Sequence, residues 1–192
     1  MSELFLQVSV SLDGYIEDAS GDIDWMVFDA SVDPFATRTL ESIDGMIFGR
    51  KAHALLATFW PGAADTEGAS AELLKQARLM NALPKYVLTH GEETTGWANS
   101  HAIRGEDVPR LKREARRPLA VFAGAGAAQS LLAQGDIDEI RLIRYPVLLG
   151  GGTALFTEGG RRQDLELVEN RAFSSGATLQ RYRRKGRIGP SD

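Results

Sequence analysis

Residues 119–149, "LAVFAGAGAAQSLLAQGDIDEIRLIRYPVLL", run from a short apolar stretch through two glycines into an alanine-rich segment, then into a second apolar stretch. Leu119–Phe122 has the length and composition of a strand. Ala127–Ala133 suits a helix, and Gly135 stands where a left-handed residue would end it. Ile137 to Leu149 form a strand region broken by Pro146. A strand, a helix and a second strand in so short a span indicate parallel strands joined by a crossover, an α/β arrangement.

Between the first strand and the helix lies Gly124-Ala125-Gly126. A Gly-x-Gly in that place lets phosphate oxygens approach backbone N–H groups at a helix N-terminus. The Rossmann fingerprint does not fit, because Gln129 occupies the third glycine position. The nearest acids, Asp136, Asp138 and Glu139, also stand before the next strand rather than after it. The segment is therefore either a plain tight turn or the phosphate turn of another fold.

The same alternation extends in both directions. Leu4–Val10 reads as a strand that breaks at Asp13-Gly14. Pro34–Ile43 can carry a helix, with Asp33 as its N-cap. Gly45–Phe48 is a short buried strand ending at Gly49. Lys51–Phe59 and Ser70–Leu79 read as helices on either side of the loop "WPGAADTEG". Lys85–Thr89 reads as a strand and Glu106–Arg116 as a charged helix. Leu165–Phe173 and Ala177–Arg184 alternate around Ser174-Ser175-Gly176 as a hairpin. The expected fold is an α/β/α three-layer sandwich: a mixed sheet of about eight strands, helices on both faces and a C-terminal antiparallel hairpin. One domain, residues 1–185, is expected, with 186–192 as a flexible tail.

The 192 residues are 43% hydrophobic and 25% charged, globular values, with a net charge of −4 that gives no reason to expect nucleic acid. The chain has no cysteine, which excludes disulfides and thiolate metal sites. It opens on "SELFLQVSV", without the pattern of a signal peptide, and no apolar run reaches membrane-spanning length. A soluble cytoplasmic protein is expected, with neither nucleic acid nor membrane as partner. The basic stretch Arg181–Arg187 reads as a solvated strand and tail, and Asp138-Glu139 as a solvated turn and a strand start, or as an interface.

Three strand ends carry residues compatible with phosphate: Gly49-Arg50-Lys51, Thr89-His90 and Gly124-Ala125-Gly126. Asp13-Gly14 is either a turn or part of a loop over substrate. Gly150-Gly151-Gly152 reads as a bulge or sharp turn. His53, His90 and His101 are scattered, without metal-ligand spacing. Asp22, Asp24, Asp29 and Asp33 cluster around Trp25 and Phe28, where a carboxylate beside aromatic rings can relay protons.

The order of "SLDGYIED", "MIFGRKAHALL", "PKYVLTH" and "FAGAGAAQSLLAQGDIDEIRLIRYPVLLGGGTALF" resembles the dihydrofolate reductase-like family, especially the branch holding the reductase domain of bacterial riboflavin biosynthesis. The resemblance covers nearly the whole chain. It implies an NADPH-dependent reductase, commonly a homodimer, acting on a pterin-like or pyrimidine-like heterocycle. By that resemblance Gly49, Arg50 and Lys51 bind cofactor phosphates and Thr89 lies near the adenosine. Gly124, Ala125 and Gly126 hold the pyrophosphate, while Asp13, Gly14 and Ile16 border the nicotinamide.

Asp33 stands at about the position of the folate enzymes' helix carboxylate and is expected to relay a proton. Three residues depart from the family pattern. Ala52 replaces a hydroxyl residue, Ala125 a glycine, and Ala123 the glutamate usual in the riboflavin enzymes. The last departure, Ala123, argues against 5-amino-6-(5-phosphoribosylamino)uracil itself as substrate, while a uracil reductase-like or a dihydrofolate reductase-like activity stays within what the resemblance implies. The three departures leave open an alternative, a relative that binds nucleotide without turnover. The variable loops at 18–31 and 59–70 are expected to select the substrate.

Overall fold

The computed structural model describes residues 1–26, 32–91, 94, 96–122, 124–160 and 162–185. Phe28, Asp29, Ala123 and the expected tail, 186–192, lie outside the described residues.

The centre of the molecule is β1 (Leu4–Val10), in which successive side chains point to opposite faces of the sheet. Leu4, Leu6, Val8 and Val10 face one layer, where they pack with α4 (Val108–Glu114) and α5 (Ala125–Gln134). Phe5 faces the other, packed with residues of α1 (Asp33–Glu41) and α3 (Ala71–Ala82). The end of α2 (Arg50–Ala57) joins this second layer.

Parallel to β1 run β3 (Gly45–Gly49), β4 (Lys85–Leu88), β5 (Ser100–Ile103), β6 (Leu119–Phe122) and β7 (Glu139–Arg144). The hairpin of β9 (Leu165–Ala172) and β10 (Thr178–Arg184) completes the eight-stranded sheet, in the order β5-β4-β3-β6-β1-β7-β10-β9. β10 lies antiparallel to both β7 and β9. The three-layer mixed sheet is thus as expected. A separate two-stranded ribbon pairs β2 (Tyr15–Glu17) with β8 (Thr153–Ala154). Among the described residues no helix is long and apolar enough to cross a membrane.

Local chemistry explains where the expected elements shift. The segment expected as a loop after α2 begins with a 3-10 turn, Trp60–Asp65, opened by Pro61. The helix expected over 106–116 is a 3-10 turn, Gly105–Asp107, followed by α4, with Pro109 in the first helical turn. Asp33 is the first residue of α1 rather than its cap. Val32 holds the cap position and makes no side-chain hydrogen bond there.

Glu139 opens β7, the expected strand start, but the pair is not a solvated turn. Asp138 Oδ2 accepts from Leu4 N at 2.8 Å and Lys112 Nζ at 2.6 Å. The Glu139 carboxylate is 1% exposed and receives Arg141, Arg181 and Arg183. Burial pushes this carboxyl up, but the three guanidinium hydrogen bonds outweigh it and hold the carboxyl at about 2. Within the described part of the basic end, Arg181 and Arg183 pair with Glu139 of β7, Arg184 donates to the peptide oxygens of Gly135 and Ile137, and Arg183, Arg184 and Lys185 remain exposed to solvent.

Candidate functional site

Ligands of α/β sheets bind beyond the C-terminal ends of the parallel strands, and here two of those ends deliver helices side by side. β3 and β6 are neighbours, with Ile47 opposite Val121, so the helices after them, α2 and α5, begin next to each other. Gly49 caps α2 in an extended conformation, φ −78° and ψ 158°. Gly124 caps α5 at φ +85°, a region in which a side chain is strained. The first helical bond of α5 runs from Ala128 N to Gly124 O at 3.3 Å. The N–H groups of Ala125, Gly126 and Ala127 precede it and are open to an acceptor.

On one side of this junction lies a groove of about 470 Å³, reached by Arg50, Thr89, His90, Arg104, Ser130 and Gln134. Gly49 and Gly126 form its inner edge. A Cβ built on Gly126 meets nothing within 4 Å, so the turn has room in front of it.

On the other side is a cavity of about 320 Å³. Ile16, Leu40, Leu56, Trp60, Phe122 and Ile143 give it apolar walls, while Ala52 and Gly124 border it at the junction. Consecutive residues divide between the compartments: Gly49 and Arg50 belong to the groove, Lys51 and Ala52 to the cavity. An elongated ligand can therefore lie across the glycine turn with a polar end in one compartment and a flat end in the other.

Few polar groups reach the cavity. Gln7 and Ser9 come from β1 and Gln76 from α3. Gln7 Oε1 accepts from Thr39 Oγ1 at 3.3 Å. Gln76 Nε2 donates to Thr37 Oγ1 at 3.1 Å and to the peptide oxygen of Asp33 at 3.2 Å. At the mouth Lys51 Nζ meets Glu17 Oε2 at 2.8 Å.

A family profile, the RibD C-terminal domain, matches residues 2–179. The chain belongs to the RibD C-terminal domain family. It is 31% identical over 187 residues to the uncharacterized protein YyaP of Bacillus subtilis, covering 95% of each chain. A crystal structure from Shewanella sp. PV-4, named for riboflavin biosynthesis, superposes with a TM-score of 0.75 at 24% identity, covering 96% of this chain and 99% of that one. Dihydrofolate reductase from Enterococcus faecalis, complexed with NADP(H), superposes with a TM-score of 0.63 at 12% identity over 96% and 97% of the two chains. The fold is that of the dihydrofolate reductases.

In this RibD C-terminal domain the residues expected at the site divide into four groups. Gly49, Arg50, Thr89 and Gly126 meet in the groove, and Ile16, Lys51 and Gly124 on the cavity. Ala125 opens α5 and packs toward the core. Asp13, Gly14 and Asp33 border neither compartment.

Asp13 fastens the turn after β1 to the loop after β7. Its carboxylate accepts from Ser11 Oγ at 2.6 Å, Gly150 N at 2.8 Å and Leu149 N at 3.2 Å. The Ser11 hydrogen bond, aided by these two amides, holds the carboxyl at about 2. Gly152, expected as a bulge or sharp turn, has a steric duty: a Cβ there would sit 2.0 Å from the peptide oxygen of Glu17 and block the β2–β8 ribbon.

Gln7, Gln76 and Arg104 belong to the two compartments although no sequence motif pointed to them, while Trp60 lies in the loop 59–70 expected to select the substrate. Gln7 did carry a signal, a long polar side chain on a central strand that is apolar but for it and Ser9. His53, by contrast, is a core residue, 1% exposed, with its ring 5.4 Å from that of Trp97 and its Nε2 2.8 Å from Ser100 Oγ. Burial, with Lys85 nearby, keeps its pKa below the ordinary value.

Proposed function

We propose that this protein is an NADPH-dependent reductase of a small pterin-like or pyrimidine-like heterocycle. One observation carries the reading: a polar groove and an apolar cavity meet at a pair of adjacent helix N-termini, where Gly126 leaves space for a phosphate. The likeness to a reductase complexed with NADP(H) supports the choice of cofactor.

The N–H groups of Ala125, Gly126 and Ala127 would hold the pyrophosphate. Arg50 and Arg104 would pair with the adenosine-side phosphates, and Thr89 would lie at that end. Ile16, Ala52 and Gly124 would face the nicotinamide. Bound there, the cofactor supplies a hydride. The protein's part is to align the two rings and keep water from the apolar cavity. Lys51, paired with Glu17, serves the mouth of the cavity in this reading. Asp33 acts through its peptide oxygen, which orients Gln76. Asp13 and Gly14 hold the loop behind Ile16. The homodimer implied by the family is kept, and sedimentation tests it.

Titration with NADPH tests the function. Trp60 lines the cavity, so its fluorescence should be quenched, and the melting temperature should rise. No response at millimolar cofactor would refute the proposal. The placement of Asp33 off the cavity favours a second reading, nucleotide binding without turnover. Oxidation of NADPH with any heterocycle of a reducible panel rules that out.

A further inference from the structure

We propose that the cavity takes an uncharged planar heterocycle and rejects anionic ones, and that Glu17 is the residue that sets this preference. The inference rests on the reductase reading for its chemistry but not for its selectivity. Three observations carry it.

First, the polar groups inside the cavity are neutral. They are the amides of Gln7 and Gln76 and the hydroxyl of Ser9, set among apolar walls. Gln7 Oε1 shares the single hydroxyl hydrogen of Thr39 with Phe35 O, at 3.3 Å against 3.0 Å, and Gln76 uses its amide nitrogen on Thr37 and Asp33. That leaves one amide nitrogen to donate and one amide oxygen to accept, a pair suited to the lactam or amidine edge of a ring. A charged group entering this space would lose its hydration without gaining a counter-charge.

Second, the one cation bordering the cavity among the described residues, Lys51, is engaged. Its ammonium lies 2.8 Å from Glu17, and the two side chains differ in freedom: Lys51 is 75% exposed, Glu17 16%. Glu17 is fixed by its place in the β2–β8 ribbon, with Thr153 Oγ1 3.3 Å from its Oε2. Lys51 is the mobile partner and Glu17 the anchored one.

Third, the segment that forms the mouth is acidic. Ile23 and Met26 line the cavity, and the chain leading to them carries Glu17, Asp18, Asp22 and Asp24 against the single Lys51 ammonium. Asp18 is locked in its turn by Ser20 and the Asp22 amide, and a Cβ on Gly21 would lie 3.6 Å from Lys51 Nζ. An approaching carboxylate or phosphate meets a field of its own sign, whereas a neutral ring does not. In turnover, a C=N bond of the ring takes a hydride at carbon and a solvent proton at nitrogen, while NADPH is oxidised to NADP+.

The test compares three probes with the same reducible ring: 6-methyl-7,8-dihydropterin, 7,8-dihydrofolate with its dianionic tail, and the dimethyl ester of 7,8-dihydrofolate, which keeps the tail without the charge. Binding to the full chain is read by equilibrium dialysis, with and without NADPH. Selectivity is therefore measured even if no NADPH is oxidised, and absent oxidation counts against the reductase reading alone. The dihydropterin and the ester should bind about tenfold more tightly than dihydrofolate, with the gap narrowing at high salt. Glu17→Gln, which frees Lys51, should shrink that ratio to near unity, and Lys51→Gln should widen it. Equal binding of acid and ester, exclusion of the ester along with the acid, failure of all three probes to bind, or an unchanged ratio in a folded Glu17→Gln protein would each overturn the proposal.

Discussion

A Cβ on Gly124 would stand 3.1 Å from the methyl of Ala52, closer than ordinary packing allows. The turn between β6 and α5 therefore rests directly on the first turn of α2. The methyl group of Ala52, a residue 7% exposed, seats the glycine. Gly124→Ala adds a clash to a positive φ, and should cost about 1–2 kcal/mol in chemical denaturation. NADPH affinity should fall with it, because the N–H groups of the turn move. Unchanged affinity would show that the turn does not hold the cofactor.

Arg50 and Arg104 reach the groove from different elements, the start of α2 and the end of β5. Each charge-assisted contact is worth about 1.5–3 kcal/mol. Arg50→Ala and Arg104→Ala should each weaken NADPH binding by about tenfold or more, measured by calorimetry. NADH, lacking the extra phosphate, should be less affected by at least one of them. Equal losses for both nucleotides in both variants would remove the arginines from the phosphate role.

Glu139 is a buried carboxylate holding three arginines from two strands. Glu139→Gln takes the shared counter-charge from all three guanidinium groups, leaving Glu169 against Arg181 and Glu3 against Arg183. Breaking such a group costs about 3 kcal/mol. For a domain of this size the melting temperature should drop by about 6–12 °C. A drop below that range would mean that solvent already screens the cluster.

Asp13 makes a prediction about acid. Its carboxyl is lowered from 3.8 to about 2 in the folded protein, so the charged form is favoured by folding. The contribution is complete above the ordinary carboxylate value and is lost as the pH falls through about 2. Between those values wild type should lose stability faster than Asp13→Asn, as followed by thermal melts. The variant should also expose the loop after β7 to limited proteolysis at neutral pH. Identical acid profiles would show that the Asp13 clip adds nothing.

Much of the fold was legible because its signals are local. The alternation of β1, the proline at the start of α1, the Gly135 cap at φ +81° and the final hairpin each follow from residues close in sequence. β5 was not legible. "SHAI" is an edge strand with its two middle residues exposed and only Ile103 buried, and it shows no apolar alternation. The β2–β8 ribbon was hidden for a related reason: it is short, and its pairing is enforced by Gly152, far along the chain.

The site divides in the same way. Sequence alone determined that glycine turns end the strands at Gly49 and Gly124 and that cations stand beside the first, since turn conformation and composition are properties of neighbouring residues. Only the tertiary structure placed β3 beside β6, so that the two turns form one junction with a groove on one side and a cavity on the other. It also paired Lys51 with Glu17, joined Asp13 to the loop after β7, and buried Glu139 among arginines. Each of those outcomes depends on which distant partner a charged side chain meets, and strand order fixes that rather than local sequence.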